Sequence, residues 1–211
     1  AAFIEEEDLS GSELQQSARD IRESSEFLLK LVDNLLDIYR IEEGRLAVNP
    51  EPIDLPSQVK SCVRRFQDRA SKKSIELVQS VPNRPLAAMG QDDIFTQVFE
   101  NLISNAIKYS PPGKRVWISL AEEGNEAVFS VRDEGPGIPK EEQQQVFTKF
   151  ARISNQPTGD EVSTGLGLAI VKQMSELIGG QASFESIPGE GTTFRVAFPV
   201  TANTEQVSES A

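Results

Sequence analysis

No stretch constrains this chain more than Phe95-Thr-Gln-Val-Phe-Glu-Asn-Leu-Ile-Ser-Asn-Ala-Ile-Lys-Tyr109, which reads as one helix with two faces that do different work. At about 100° per residue, Val98, Phe99, Leu102, Ile103, Ala106 and Ile107 fall on a broad apolar arc, and Asn101, Asn105 and Lys108 line a narrow polar stripe opposite it. Two carboxamides and an amine stacked in this way suit a metal-bound polyphosphate: a carboxamide oxygen ligates Mg²⁺ and an ammonium neutralises phosphate oxygens. A solvated helix face with a snorkelling lysine is the plain alternative. The glycine segments downstream bear on the choice.

Composition narrows the classes. At 211 residues the chain makes one large domain, or an ordinary one with a helical appendage, and 38% hydrophobic residues are enough for a core. A net charge of −12 argues against general affinity for nucleic acid or anionic membrane surfaces. If the chain binds an anion such as a nucleotide, the site must be local, made of helix termini, backbone amides, a metal and a few cations such as Lys108, Lys149 and Arg152. The single cysteine, Cys62, excludes an intrachain disulfide, and its apolar helical surroundings make it a buried thiol. There is no histidine, so Ser-His and Cys-His catalysis and histidine-ligated zinc are excluded within this chain. No run approaches the roughly 20 apolar residues of a membrane span, and the acidic N-terminus is unlike a signal peptide. The expectation is a soluble, cytoplasmic chain that makes no membrane contact of its own.

In chain order, residues 1–9 end in an acidic run, and a long helical pattern follows through Ile21, Leu28, Leu31, Val32, Leu35, Leu36, Ile38 and Tyr39 to a stop at Gly44. Its apolar stripe is longer than one small domain needs, which implies a partner helix; folding back on its own domain is the alternative. Residues 49–56, punctuated by Pro50, Pro52 and Pro56, read as an extended linker in which Ile53 and Leu55 can pair as an edge strand. The domain boundary is placed here. A helix over 57–71, strands at 75–81 and 86–89, the central helix and a hairpin with Val116, Ile118, Leu120, Phe129 and Val131 inward come next. Period-two counting puts Asp133 on that same inward face. A short helix near 141–147, a polar loop over 154–163 that is either a lid or a plain surface loop, a helix from Gly165 and two strands at 182–186 and 193–198 complete the domain. The tail from Thr201 is expected to be disordered.

Two glycine segments follow the central helix. Asp133-Glu-Gly-Pro-Gly137 sets a carboxylate before two glycines that let backbone approach a ligand, and a carboxylate at a strand end accepts a hydrogen bond from an exocyclic amine. A turn after a strand uses the same residues. Ser163-Thr-Gly-Leu-Gly-Leu-Ala169 lies at a helix start, where free N–H groups receive phosphates. It is neither the dinucleotide-binding fingerprint, since Ile170 stands where the third glycine belongs, nor a Walker A loop.

In this order the segments resemble those of sensor histidine kinases. Asn101–Tyr109 is similar to the N box, Asp133–Gly137 to the G1 box, Phe147-Thr-Lys-Phe150 to the F box and Thr164-Gly-Leu-Gly-Leu168 to the G2 box, while Leu31–Gly44 looks like the second helix of the family's dimerisation domain. The resemblance implies an α/β (α+β) fold: a two-layer α/β sandwich with a mixed sheet (the Bergerat ATP-binding fold), preceded by a long helix from a helical dimerisation hairpin. It divides the chain into a partial dimerisation domain over 1–48, a linker over 49–56, a catalytic ATP-binding domain over 57–200 and a tail over 201–211. It implies ATP and Mg²⁺ as cofactors, a response-regulator receiver domain as partner and a homodimer in the parent protein, which can be membrane-anchored.

Carried over position by position, Asn105 is the main Mg²⁺ ligand with Asn101 supporting it, Lys108 and Arg152 meet phosphate, Tyr109 packs on the nucleotide and Asp133 takes the adenine amine. Gly135, Gly137, Lys149, Thr164, Gly165, Leu166, Gly167 and Leu168 complete the implied nucleotide set. The hydrolytic relatives, gyrase and heat-shock chaperones among them, carry a water-activating glutamate where Asn101 stands, and a carboxamide is no base near neutral pH. Slow water attack, sparing ATP for an imidazole, is the expected consequence. Glu100 is a weaker candidate for polarising the nucleophile, since its angle lies off the stripe. The family's acceptor histidine has no counterpart here, and the acidic run at Ala1–Asp8 resembles the end of the helix that carries it, so the acceptor is expected to precede this chain. A non-catalytic interaction module and an anti-sigma-type serine kinase are the rival classes.

Overall fold

The computed structural model describes residues 11–151, 153–155, 157–158 and 164–201. The acidic run, Arg152, Ser163, part of the 154–163 loop and the tail from residue 202 lie outside these described residues.

Helix α1 (Gly11–Glu42) leads into strand β1 (Glu51–Asp54), helix α2 (Leu55–Lys72), β2 (Glu76–Ser80), β3 (Ala87–Gly90) and the central helix α3 (Asp92–Tyr109). After it come β4 (Arg115–Glu123), β5 (Glu126–Asp133), a 3-10 turn (Lys140–Gln145), helix α4 (Gly167–Leu177), β6 (Gln181–Ile187) and β7 (Gly191–Pro199). The five-stranded sheet runs β2-β4-β5-β7-β6, parallel at β2–β4 and antiparallel elsewhere, and α2, α3 and α4 cover one face of it. This is the expected two-layer sandwich with a mixed sheet.

Two boundaries differ from the sequence reading for local reasons. The proline-rich stretch forms β1, antiparallel to β3, with Pro52 opposite Met89; a two-stranded ribbon tolerates the missing N–H. Pro56 then occupies the first turn of α2, where an N–H would be unused. Helix α3 starts at Asp92, earlier than expected, because Asp92 and Asp93 favour the positive end of a helix.

The core lies between helices and sheet. Every residue of the apolar arc of α3 is buried, with Phe99 stacked 4.3 Å from Phe129 and Phe95 4.9 Å from Phe198, centroid to centroid. Burying each such ring contributes about 2–3 kcal/mol. Cys62 is buried on α2, and burial pushes its thiol up to about 11.

Helix α1 behaves differently. Ile38 and Asn34 are buried where it meets the domain, yet Leu28, Leu29, Leu36 and Tyr39 stay between 45% and 64% exposed. Gln97 on α3 donates to the Asp37 carboxylate at 3.1 Å, and Lys149 pairs with Glu42. No described helix is long and apolar enough to cross a membrane.

Candidate functional site

The polar stripe of α3 is half-buried at Asn101 and Asn105 and buried at Lys108. It runs beneath the start of α4, so close that a Cβ on Gly167 would sit 3.0 Å from Asn101 Oδ1 and 4.0 Å from Asn105 Nδ2. A side chain at this position would press on Asn101, so glycine eases the approach. The Asn101 amide group donates to the Gln97 carbonyl at 2.8 Å, which fixes the carboxamide and turns its oxygen toward α4. One turn further, Lys108 is 7% exposed, with its ammonium 5.7 Å from the centre of the Tyr109 ring. The alternative of a fully solvated stripe is thus set aside at Lys108, which is buried.

Helix α4 begins without a side-chain cap, so the N–H groups of its first turn have no intrahelical acceptor and present positive charge beside the two asparagines. In the lead-in, Leu166 N–H donates to Thr164 Oγ1 at 3.2 Å, and Leu166 is buried. Gly165 accepts from Phe150 N–H at 3.0 Å, which ties the Phe147–Phe150 turn to this loop. Leu168 packs half-buried against the core.

The other end of the site is built on β5. Asp133 stands opposite Val116, on the inward face that period-two counting gave it, and is 5% exposed. Its Oδ1 accepts from Gly135 N–H at 2.8 Å and from Thr192 N–H at 3.1 Å. Both bonds fall on one oxygen, which leaves Oδ2 for an outside donor. Burial pushes the carboxyl up to about 6, against the two N–H bonds and Arg132, which lower it. A Cβ on Gly135 would come 3.0 Å from the Tyr109 carbonyl, so the same loop also abuts the end of α3. Gly137, at φ +66°, accepts from the Asn155 side chain.

The structure therefore brings Asn101 and Asn105 of α3 against Gly167 at the start of α4, to which Thr164–Leu166 lead, while the loop after Asp133 meets the end of α3 where Gly135 abuts Tyr109. Lys149 is drawn elsewhere: its ammonium pairs with Glu42 of α1, and the side chain lines a shallow groove with Phe147, Lys172 and Gln173. Glu100 points away as well, paired with Arg65 of α2 at 2.8 Å. Arg152 lies outside the described residues. Sequence reasoning missed Thr192, which is 6% exposed and fixes Asp133; only the β5–β7 register brings the two together. It also missed Lys73 and Thr158, both of which reach the end of α3.

A Mg²⁺ ion fits this donor set. Among the described residues no cluster of three or more His, Cys, Asp or Glu side chains could cage a metal. Carboxamides beside a helix start with free N–H groups suit an ion that keeps waters and takes further oxygen ligands from an anion.

Comparison with known proteins identifies the family. Residues 90–202 match the family described as histidine kinase-, DNA gyrase B- and HSP90-like ATPase. The chain is 36% identical over 181 residues to the circadian input-output histidine kinase CikA of Synechococcus elongatus, and 36% over 177 residues to the sensor histidine kinase WalK of Bacillus subtilis. These matches cover 85% and 83% of this chain but only 24% and 29% of those proteins, so it spans about a quarter of their length. Among solved structures, the mycobacterial sensor histidine kinase MprB is 30% identical with a TM-score of 0.63, covering 74% of this chain and all of that one. Full-length ShkA in complex with AMPPNP is 26% identical with a TM-score of 0.77, covering 94% of this chain and 41% of that one. This chain belongs to the histidine kinase-, DNA gyrase B- and HSP90-like ATPase family, as the catalytic ATP-binding domain of a sensor histidine kinase.

Proposed function

We propose that this chain transfers the γ-phosphoryl group of Mg²⁺-ATP to a histidine on a dimerisation helix outside it, for relay to an aspartate of a response-regulator receiver domain. The observation that carries this reading is the convergence of Asn101 and Asn105 with the uncapped start of α4 across the glycine contact at Gly167.

In this reading the Asp133 carboxylate accepts the exocyclic amine of adenine on Oδ2, and Tyr109 packs against the base. The phosphates lie along the first turn of α4, with Lys108 and Arg152 opposing their charge. Asn105, supported by Asn101, holds Mg²⁺, which when bound neutralises phosphate charge. An imidazole nitrogen of the acceptor forms the new P–N bond as the bond from the γ-phosphorus to the bridging oxygen breaks, and ADP leaves. Asn101, being a carboxamide, accepts no proton from water, which leaves the nucleotide for the imidazole. Helix α1, with its exposed Leu28, Leu29, Leu36 and Tyr39, is read as one helix of a dimerisation hairpin, and the parent protein as a homodimer in a cytoplasmic setting.

The test supplies Mg²⁺-ATP and, in trans, a separate helical hairpin bearing the acceptor histidine. Acid-labile, base-stable phosphate on that histidine is the expected result. Nucleotide binding without any transfer would move the chain to a signalling module, and phosphoserine on a partner would move it to the serine kinases.

A further inference from the structure

The end of α3 is held in an unusual way. Ser110 N–H closes its last turn on the Ala106 carbonyl at 3.0 Å, so the carbonyls that follow have no intrahelical donor. Two remote segments supply donors. From the connection after α2, Lys73 Nζ reaches the carbonyls of Ile107 at 2.7 Å and Lys108 at 2.8 Å, where a cation also complements the negative end of the helix. From the loop before α4, Thr158 N–H donates to the Lys108 carbonyl at 3.1 Å. The Thr158 hydroxyl lies 2.7 Å from the Ser110 carbonyl and 3.0 Å from that of Lys108. It has one proton, and the lone-pair accounting directs it to Ser110, since Lys73 and the Thr158 amide already take both lone pairs of the Lys108 oxygen.

The same loop is fastened twice more before Thr158. Ser154 N–H donates to Glu142 at 2.9 Å, and the Asn155 amide donates to the Gly137 carbonyl. Asn155 and Thr158 thereby connect the loop that follows Asp133 and the turn that carries Lys108 and Tyr109. Because Thr158 is itself exposed, its side chain contributes nothing to the core.

Resting on the nucleotide site proposed above, we propose that Thr158, with Lys73, is a positioning residue for nucleotide: its hydroxyl locks the bridge onto the end of α3 and presets Lys108 and Tyr109. A preset turn and bridge lose little freedom when nucleotide enters, whereas an unlocked bridge must be ordered at that moment, and the cost appears as faster release. Neither residue touches the reacting atoms.

The experiment measures binding and release of a fluorescent ADP with Mg²⁺ on the full chain, in the wild type, Thr158→Val and Thr158→Ser, alongside the melting temperature without nucleotide. Valine keeps the shape and removes the hydroxyl, while serine keeps the hydroxyl. Thr158→Val is expected to weaken binding about 3- to 10-fold, the effect of one lost hydrogen bond, mostly through the dissociation rate. Thr158→Ser is expected to stay within about two-fold of the wild type, and the nucleotide-free melting temperature to move little in either. Lys73→Met, which removes the other remote donor, is expected to weaken binding in the same direction, with Lys73→Arg recovering part of it. Wild-type binding with Thr158→Val unchanged would overturn the positioning role and leave the kinase reading standing. A loss in the serine variant as large as that in the valine variant would overturn it too, because serine keeps the hydroxyl. Failure of the wild type to bind any adenine nucleotide would instead overturn the kinase reading itself.

Discussion

The two ends of the site are made of different materials. The end proposed for the base is backbone: a carboxylate at a strand terminus, fixed by N–H groups from Gly135 and Thr192 and backed by the turn at Gly191. The end proposed for the phosphates is side chain and helix terminus: two carboxamides on α3 facing the uncapped start of α4, with the Lys108 amine further along the same helix. A backbone-built pocket is fixed once the sheet forms and recognises one shape. A pocket between two helices has adjustable walls and is completed by what enters it. Damage to the first end should therefore be severe and damage to the second graded.

The severest test of the rigid end is Gly191→Ala. Gly191 has φ +115°, and a Cβ there would lie 2.1 Å from the Asp133 carbonyl oxygen, which is backbone and cannot swing aside. The expected cost is on the order of 3 kcal/mol or more, seen as a lower midpoint in urea unfolding. A variant as stable as the wild type would mean that this turn is softer than its geometry implies.

Asp133→Asn separates recognition from stability. The folded carboxyl titrates at about 6 against an ordinary 3.8, because burial disfavours its charge. The folded state thus holds the proton more tightly, so stability falls as pH rises from about 4 to about 6 and levels off above. A neutral isostere removes that penalty, and the variant is expected to be more stable than the wild type at pH 7 by up to roughly 3 kcal/mol, the equivalent of about two pKa units. The gain should shrink toward pH 4, where the wild type is itself protonated. At pH 7 the variant is also expected to lose about 100-fold or more in ATP affinity, because its carboxamide presents a donor to the amine. Calorimetric titration and a pH series of melts read the two halves independently, and retained affinity would remove Asp133 from the base-recognition role.

Much of this contrast was legible in the sequence, and the illegible part has a pattern. Period two carried Val116, Ile118, Leu120 and Asp133 to one face, and the helical period gave the buried arc of α3, because each depends only on local geometry. What stayed hidden was partner choice across long separations. Lys149, a candidate phosphate cation by its charge and by the family resemblance, pairs here with Glu42, 107 residues earlier. Glu100 found Arg65, and Thr192 found Asp133 only through the β5–β7 pairing. Likewise, no sequence period shows that Asn101 lies against Gly167 of α4 or that Lys108 is buried.

The graded end is tested first with Asn105→Ala. Removing one carboxamide ligand from an ion that keeps waters and phosphate oxygens should weaken rather than abolish binding, by roughly 10-fold and only when Mg²⁺ is present. Titrations with and without the metal give the difference directly. An equal loss in both would make Asn105 a packing residue.

Gly167→Ala should have the smallest effect and the most informative sign. An alanine in the first turn of α4 ought to stabilise the chain, by roughly 0.5 kcal/mol, since it restricts the unfolded backbone and favours the helix. Its Cβ would meet Asn101 Oδ1 at 3.0 Å, a distance that asks the carboxamide to yield by a few tenths of an ångström. Asn101 is not free to do so without cost, because its amide is bonded to the Gln97 carbonyl. The expected variant therefore melts slightly higher and binds Mg²⁺-ATP about 2- to 5-fold more weakly, a loss of the size one strained hydrogen bond produces. Stability and affinity moving in opposite directions would mean that Gly167 serves the approach of two helices around a ligand. If both rise together, the asparagine can move freely, and the phosphate end is looser than the contact between α3 and α4 implies.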